Sequence, residues 1–113
     1  MAYDESLAND VRQALSPTKY TEKRMFGGMA FLVNGNMCVS VNDRPDHIMM
    51  VRIDRANQEA LTRKGASVAV MRGRKMPGWI FLTSKAIETQ QDFNYWIDLA
   101  VAFNKTLKMK GGK

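Results

Sequence analysis

The residues predict an α+β domain built on an antiparallel sheet, in the order α-β(3)-α-β(2)-α. Three observations carry this. Segments near the two ends repeat apolar residues at helical spacing, and residues 22–53 form one extended run cut by two turn signals. The third is size: 113 residues, 45% hydrophobic and 25% charged, suit a single core rather than two, and exclude a disordered or low-complexity chain. The domain is read as spanning 1–113, with an ordered core over about 3–108 and a flexible basic tail at 109–113.

Asp4 is placed to cap a helix over 5–16, in which Leu7, Val11, Ala14 and Leu15 recur at i, i+4, i+7 and i+8 before Pro17 ends it. Strands follow at 23–33, 36–42 and 47–53. Asn34-Gly35 suits the two positive φ angles of a type I′ hairpin turn, and Asp43-Arg44-Pro45-Asp46 supplies the second turn. Gly27-Gly28 interrupts the first strand, where a bulge or a close backbone approach is expected. Asp54 opens a second helix over 55–64, closed by Gly65. Two short strands, 68–71 and 79–83, flank a basic loop over 72–78. Thr89-x-x-Asp92 then resembles a capping box ahead of a helix over 90–108, with Phe93, Trp96, Ile97, Ala100, Val101 and Leu107 as its apolar stripe.

Hairpin turns of two residues set a register that can be written out. Phe31 falls opposite Cys38, Cys38 opposite Val51 and Ser40 opposite Met49. One face then carries Met29, Phe31, Val33, Cys38, Met49, Val51 and Ile53; the other carries Ala30, Leu32, Met37, Val39, Val41, Ile48 and Met50. A sheet apolar on both faces needs two covers, and three short helices leave part of one face for a partner. A homodimer is therefore expected.

Charge is uneven. Residues 1–62 carry seven basic and eight acidic side chains, whereas residues 63–113 carry ten basic and three acidic. Arg63, Lys64, Arg72, Arg74 and Lys75 form a carboxylate-free basic cluster, a candidate site for anions or nucleic-acid phosphates. No apolar run approaches the roughly 20 residues a membrane span needs, and the N-terminus has no signal-peptide pattern, so a cytoplasmic location is expected.

Catalytic and metal signatures are missing from the chain. Cys38 and His47 are the single cysteine and histidine, and the register separates them by about 13 Å at roughly 3.3 Å per residue, too far for a dyad. Cys38 reads as a buried small hydrophobe and His47 as an exposed loop residue. Methionines and Trp79 and Trp96 read as core. No zinc or calcium motif, nucleotide-binding glycine loop or serine elbow occurs. No catalytic residue, cofactor or metal is expected.

Met25-Phe26-Gly27-Gly28, Ala30-Phe31-Leu32, Asn34-Gly35-Asn36-Met37-Cys38, Met49-Met50-Val51-Arg52, Gly73-Arg74, Met76 and Gly78-Trp79 together resemble the N-terminal domain of the TfoX/Sxy competence regulators. The resemblance runs from about Tyr3 to Leu107. It implies an α+β fold similar to secretion-chaperone-like domains, many of which dimerise, and a setting in transcription regulation, where full-length TfoX proteins act with the cyclic-AMP receptor protein. It supplies no catalytic residues. The motif residues are expected to be structural, Gly73 among them, with Gly27 and Gly28 serving backbone conformation and Gly78 the approach to the strand of Trp79. The resulting reading is a non-enzymatic regulatory or protein-interaction domain. Two alternatives stay open: direct, sequence-tolerant nucleic-acid binding through 72–75, and an enzyme for a small anionic substrate, which would need a pocket near that loop holding a titratable group such as His47 or Asp46.

Overall fold

The computed structural model describes residues 4–16, 18–25, 28–44 and 47–107. Its elements are α1 (Glu5–Leu15), β1 (Thr21–Met25), β2 (Gly28–Val33), β3 (Asn36–Arg44), β4 (His47–Arg52), β5 (Ala66–Met71), β6 (Arg74–Leu82) and α2 (Gln90–Asn104), with short 3₁₀ turns at Glu59–Thr62 and Ser84–Ile87. The strands form one antiparallel sheet in the order β1-β2-β3-β4-β6-β5. The α+β class and the antiparallel sheet are as the sequence predicts.

Local signals explain the ends of both helices. The Asp4 carboxylate accepts from the Ser6 and Leu7 amides at 2.8 and 3.3 Å, and the Thr89 hydroxyl accepts from the Asp92 amide at 3.1 Å. The C-terminal end of α2 is tied to the sheet by Asn104, almost fully buried, whose amide nitrogen donates to the Val33 and Asn36 carbonyls at 3.1 and 3.4 Å. That fastens the helix to the Asn34-Gly35 turn, whose φ angles of 55° and 79° are those of the expected hairpin.

Four expectations about elements and register need correction. The run 23–33 is two strands, with β1 folded back on β2. Gly28 does mark a close approach, since a Cβ there would overlap the Val41 carbonyl; Phe26 and Gly27 lie outside the described residues, as do Pro17, Pro45, Asp46 and the tail over 108–113. The second helix is absent: Asp54 caps a turn by accepting from the Ala56 amide at 2.9 Å, but Ala60 is the one buried residue of the 3₁₀ turn that follows, too little apolar surface to hold a helix. The β5–β6 connection is not a loop over 72–78. Arg72-Gly73, at φ 54° and 76°, make a two-residue hairpin turn, and Arg74 and Lys75 already belong to β6.

The register correction matters most. Phe31 pairs with Val39 and Leu32 with Met37, which leaves Cys38 as an extra residue in β3. Beyond this bulge Val39 faces Val51 and Val41 faces Met49, so both valines join the helix-side core instead of the opposite face. In exchange Ser40 and Asn42 turn to the other face, Ser40 opposite Ala30 and Met50. One inserted residue exchanges every side chain after it.

The helix-side core gathers Leu7, Val11 and Leu15 of α1, Phe93, Trp96 and Ile97 of α2, and Phe31, Val39, Val41, Met49, Val51, Ile80 and Leu82 of the sheet. Each large side chain fully buried there is worth about 1.5–3 kcal/mol. A second core lies on the opposite face: Ala30, Met37, Met50 and Ala69, with Leu32, Met71, Met76, Trp79 and Phe81 packed around them. No helix covers it. Instead the register of β6 slips against β5, Val68 pairing with Ile80 but Ala69 with Met76, so that Pro77, Gly78 and Trp79 bulge out of that pairing. Gly78, at φ 90°, makes the corner, with its carbonyl accepting from the Ile53 amide at 2.7 Å. The tip of the β5–β6 hairpin thereby folds back over the sheet and packs Ala69, Met71 and Met76 against Ala30, Met37 and Met50.

Candidate anion pocket beneath the hairpin tip

Where the folded-back tip meets the ends of β3 and β4, it leaves a concavity of about 460 Å³ lined by Asn42, Arg44, His47, Met50, Val70, Met71, Arg72 and Phe81. Sequence order explains the mixture. Asn42 reaches this face because of the Cys38 bulge, Met50 and Phe81 are cross-strand neighbours on β4 and β6, and Val70 to Arg72 descend from the hairpin.

The polar wall is ordered from behind. The Ser40 hydroxyl, fully buried, donates to the Asn42 side-chain oxygen at 2.7 Å. With that oxygen engaged, the Asn42 amide nitrogen faces His47 Nε2 at 3.3 Å, an arrangement that suits an imidazole accepting at Nε2 and protonated at Nδ1. The imidazole stacks flat on Phe81, with ring centroids 3.6 Å apart and 5° between planes. His47 is 6% exposed, so the expectation of an exposed loop histidine is corrected: the strand pairs it opposite Arg44 and the Phe81 ring covers it. Arg44 and Arg72 stand at the rim as exposed guanidinium groups, and among the described residues neither has a carboxylate within 4.0 Å. Two unpaired cations over an apolar floor can bind an anion.

The basic cluster predicted from sequence divides. Arg63 and Lys64 precede β5 and Arg72 follows it, at opposite ends of a strand about 17 Å long at roughly 3.4 Å per residue. The Arg63 guanidinium lies 3.6 Å from the Tyr95 ring centroid, and Lys64 meets Glu88 at 2.6 Å. The Lys64–Glu88 pair raises the lysine's affinity for its proton, through the hydrogen bond first and the carboxylate charge second. Arg74 is exposed at the start of β6, and Lys75 lines a separate concavity with Ile53, Leu61, Pro77 and Gly78. Only Arg72 of the five enters the pocket. Arg44, Asn42 and His47 come from outside the predicted cluster. Arg44 was legible in the sequence as a basic turn residue, but its approach to Arg72 depends on the fold of the hairpin.

Cys38 lies in the helix-side core and does not line the pocket. Burial pushes the Cys38 thiol up to about 12, so at neutral pH it is a thiol and not a nucleophilic thiolate. The Ser40 hydroxyl is committed to Asn42 rather than to the imidazole. Among the described residues no three His, Cys, Asp or Glu groups gather as metal ligands, and no helix is long and apolar enough to cross a membrane.

Residues 12–104 match the family model of the TfoX N-terminal domain. No curated protein and no solved structure matches the chain.

Proposed function

Because the chain belongs to the TfoX N-terminal domain family, we propose that it is a regulatory protein-interaction domain of the cytoplasm, that it works without catalysis, and that it pairs with a second copy of itself through the β5 edge of its sheet. The family supports the regulatory part of this reading. The contrast between the two sheet edges supports the pairing.

At one edge, β1 presents Glu22, Lys23 and Arg24, all exposed, and Arg12 of α1 clamps Glu22 at 2.8 Å. Charges of this kind keep an open strand from recruiting another. At the other edge, β5 runs Ala66-Ser67-Val68-Ala69-Val70-Met71 with no charge and no proline, and Val70 is 50% exposed. Two such strands meeting antiparallel about a twofold axis would bury Val70 on both sides and satisfy the open backbone groups. Light scattering at roughly 50 µM, where a dissociation constant in the micromolar range would be saturated, tests the pairing. A dimer is expected, with Val70→Lys reducing it to monomer while leaving the circular dichroism spectrum unchanged. Wild-type protein that stays monomeric overturns self-pairing.

A second reading, contact with nucleic-acid phosphates, is supported by Arg72, Arg74 and Lys75, which are exposed and, among the described residues, without carboxylate partners. Anisotropy of a labelled random duplex at two salt concentrations, with a triple Arg72, Arg74, Lys75 to Ala variant, tests it. Salt-dependent binding lost in the variant supports this reading, and absence of binding at low salt removes it.

A further inference from the structure

We infer that the pocket beneath the hairpin tip is a binding site for a small organic anion, a carboxylate or phosphate monoester on an apolar body, held at its charged end by Arg44 and Arg72. The site is formed within one protomer and adjoins the β5 edge, with Val70 on both.

Four observations converge on it. The concavity, about 460 Å³, falls within the roughly 300–1,000 Å³ of small-molecule sites and is about three times a cavity that holds benzene. Its floor is Met50, Met71 and Phe81, flexible or aromatic groups suited to an apolar body. Its polar wall, Asn42 and His47, is buried and held by Ser40 and Phe81 before any ligand arrives, which limits the ordering cost of binding. The fourth observation is backbone conformation. Arg72 occupies the first central position of a type I′ turn at φ 54°, where Asn, Asp or Gly would sit without strain. A long cationic side chain in a place that favours a small one points to a role for the guanidinium, and its side chain lines the pocket.

Methyl NMR of the full chain, reading Met50, Met71 and Val70, tests the assignment with four probes: benzoate, phenyl phosphate, benzyl alcohol and inorganic phosphate. Benzoate or phenyl phosphate is expected to shift these methyls, and benzyl alcohol and inorganic phosphate to bind about tenfold more weakly or worse, because each lacks one half of the ligand. Which of the two organic anions binds more tightly identifies the charged group. Arg72→Asn is expected to weaken binding about tenfold while raising Tm by about 2–4 °C as the turn loses its strain, and Arg44→Gln to weaken binding with Tm unchanged. Absence of shifts at about 10 mM probe overturns the site. So does equal binding of benzyl alcohol or of inorganic phosphate, and so does an Arg72→Asn protein that keeps its affinity or melts lower.

Discussion

On one face of the sheet, two amphipathic helices close the core; on the other, the sheet's own β5–β6 hairpin bends over and does so. The first cover brings Leu15, Phe93, Trp96 and Ile97 onto a bed of Phe31, Val39, Val41 and Met49, and its large side chains are sealed from water. The second rests on small and adaptable residues, Ala30, Ala69, Met37 and Met50, with Leu32, Met71, Met76, Trp79 and Phe81 left half-buried around them. A helix laid along a sheet closes it over several strands at once. A hairpin tip is narrower and leaves a gap at its side, and in this molecule the gap is the pocket. Stability is therefore expected to reside on the helix side and ligand contact on the hairpin side.

Truncating the two covers sharpens this contrast. Trp96→Ala is expected to cost about 3–5 kcal/mol, because a fully buried indole cannot be replaced by collapse of its neighbours. Half-buried Met71→Ala is expected to cost about 1 kcal/mol. Urea denaturation of both variants measures the difference, and equal costs would break the division between faces.

The hairpin corner comes next in magnitude. Gly78→Ala meets two obstacles, φ of 90° and an Ile53 carbonyl oxygen 2.9 Å from the added Cβ, and is expected to cost about 1–3 kcal/mol. The damage should be local. Amide exchange at Ala69 and Met50 is expected to accelerate while Trp96 and Phe93 in α2 keep their protection; uniform acceleration would mean that the two covers unfold as one unit.

The smallest effect concerns the seam between α1 and β1. Arg12 holds the Glu22 carboxyl below the ordinary glutamate range, chiefly through their hydrogen bond. A carboxyl whose folded pKa is lowered contributes stability above its unfolded value, near 4.5, and loses it as pH falls through the folded value. The pair is partly exposed, so the contribution is about 0.5–1 kcal/mol. Glu22→Gln should show that loss at pH 7 and a flatter stability profile below pH 4.5 than wild type. Indistinguishable profiles would leave α1 docked by Leu7, Val11 and Leu15 alone.

Much of the fold was legible because its signals are local. Asp4, Thr89 and Asn34-Gly35 act on the residues beside them, and each appears where the sequence places it. The Cys38 bulge was not legible, since nothing in Asn36-Met37-Cys38-Val39 distinguishes a strand with an extra residue from one without. That slip hid Asn42, which alternates with Cys38 and Ser40 in an unbulged strand, and a second register shift between Val41 and Arg44 stands beside His47. The 55–64 segment misled for another reason: its Asp cap and closing Gly65 are real, but caps without an apolar face end a turn as readily as a helix. The candidate site was half legible. Arg72 stood out by charge, while its partner Arg44 lies 28 positions away in sequence, and only the bent hairpin joins them.

The helices that form the larger cover bracket the six strands in the chain. During synthesis the hairpin can close as soon as residues 66–82 are available, since its contacts are near neighbours in sequence. The helix layer is completed later: α1 is present from the start, but Phe93, Trp96 and Ile97 follow all the strands, and until they emerge the part of β3 and β4 that α2 covers stays open to water and to other chains. The face that contributes most to the finished protein is thus the last to be protected while it is being made.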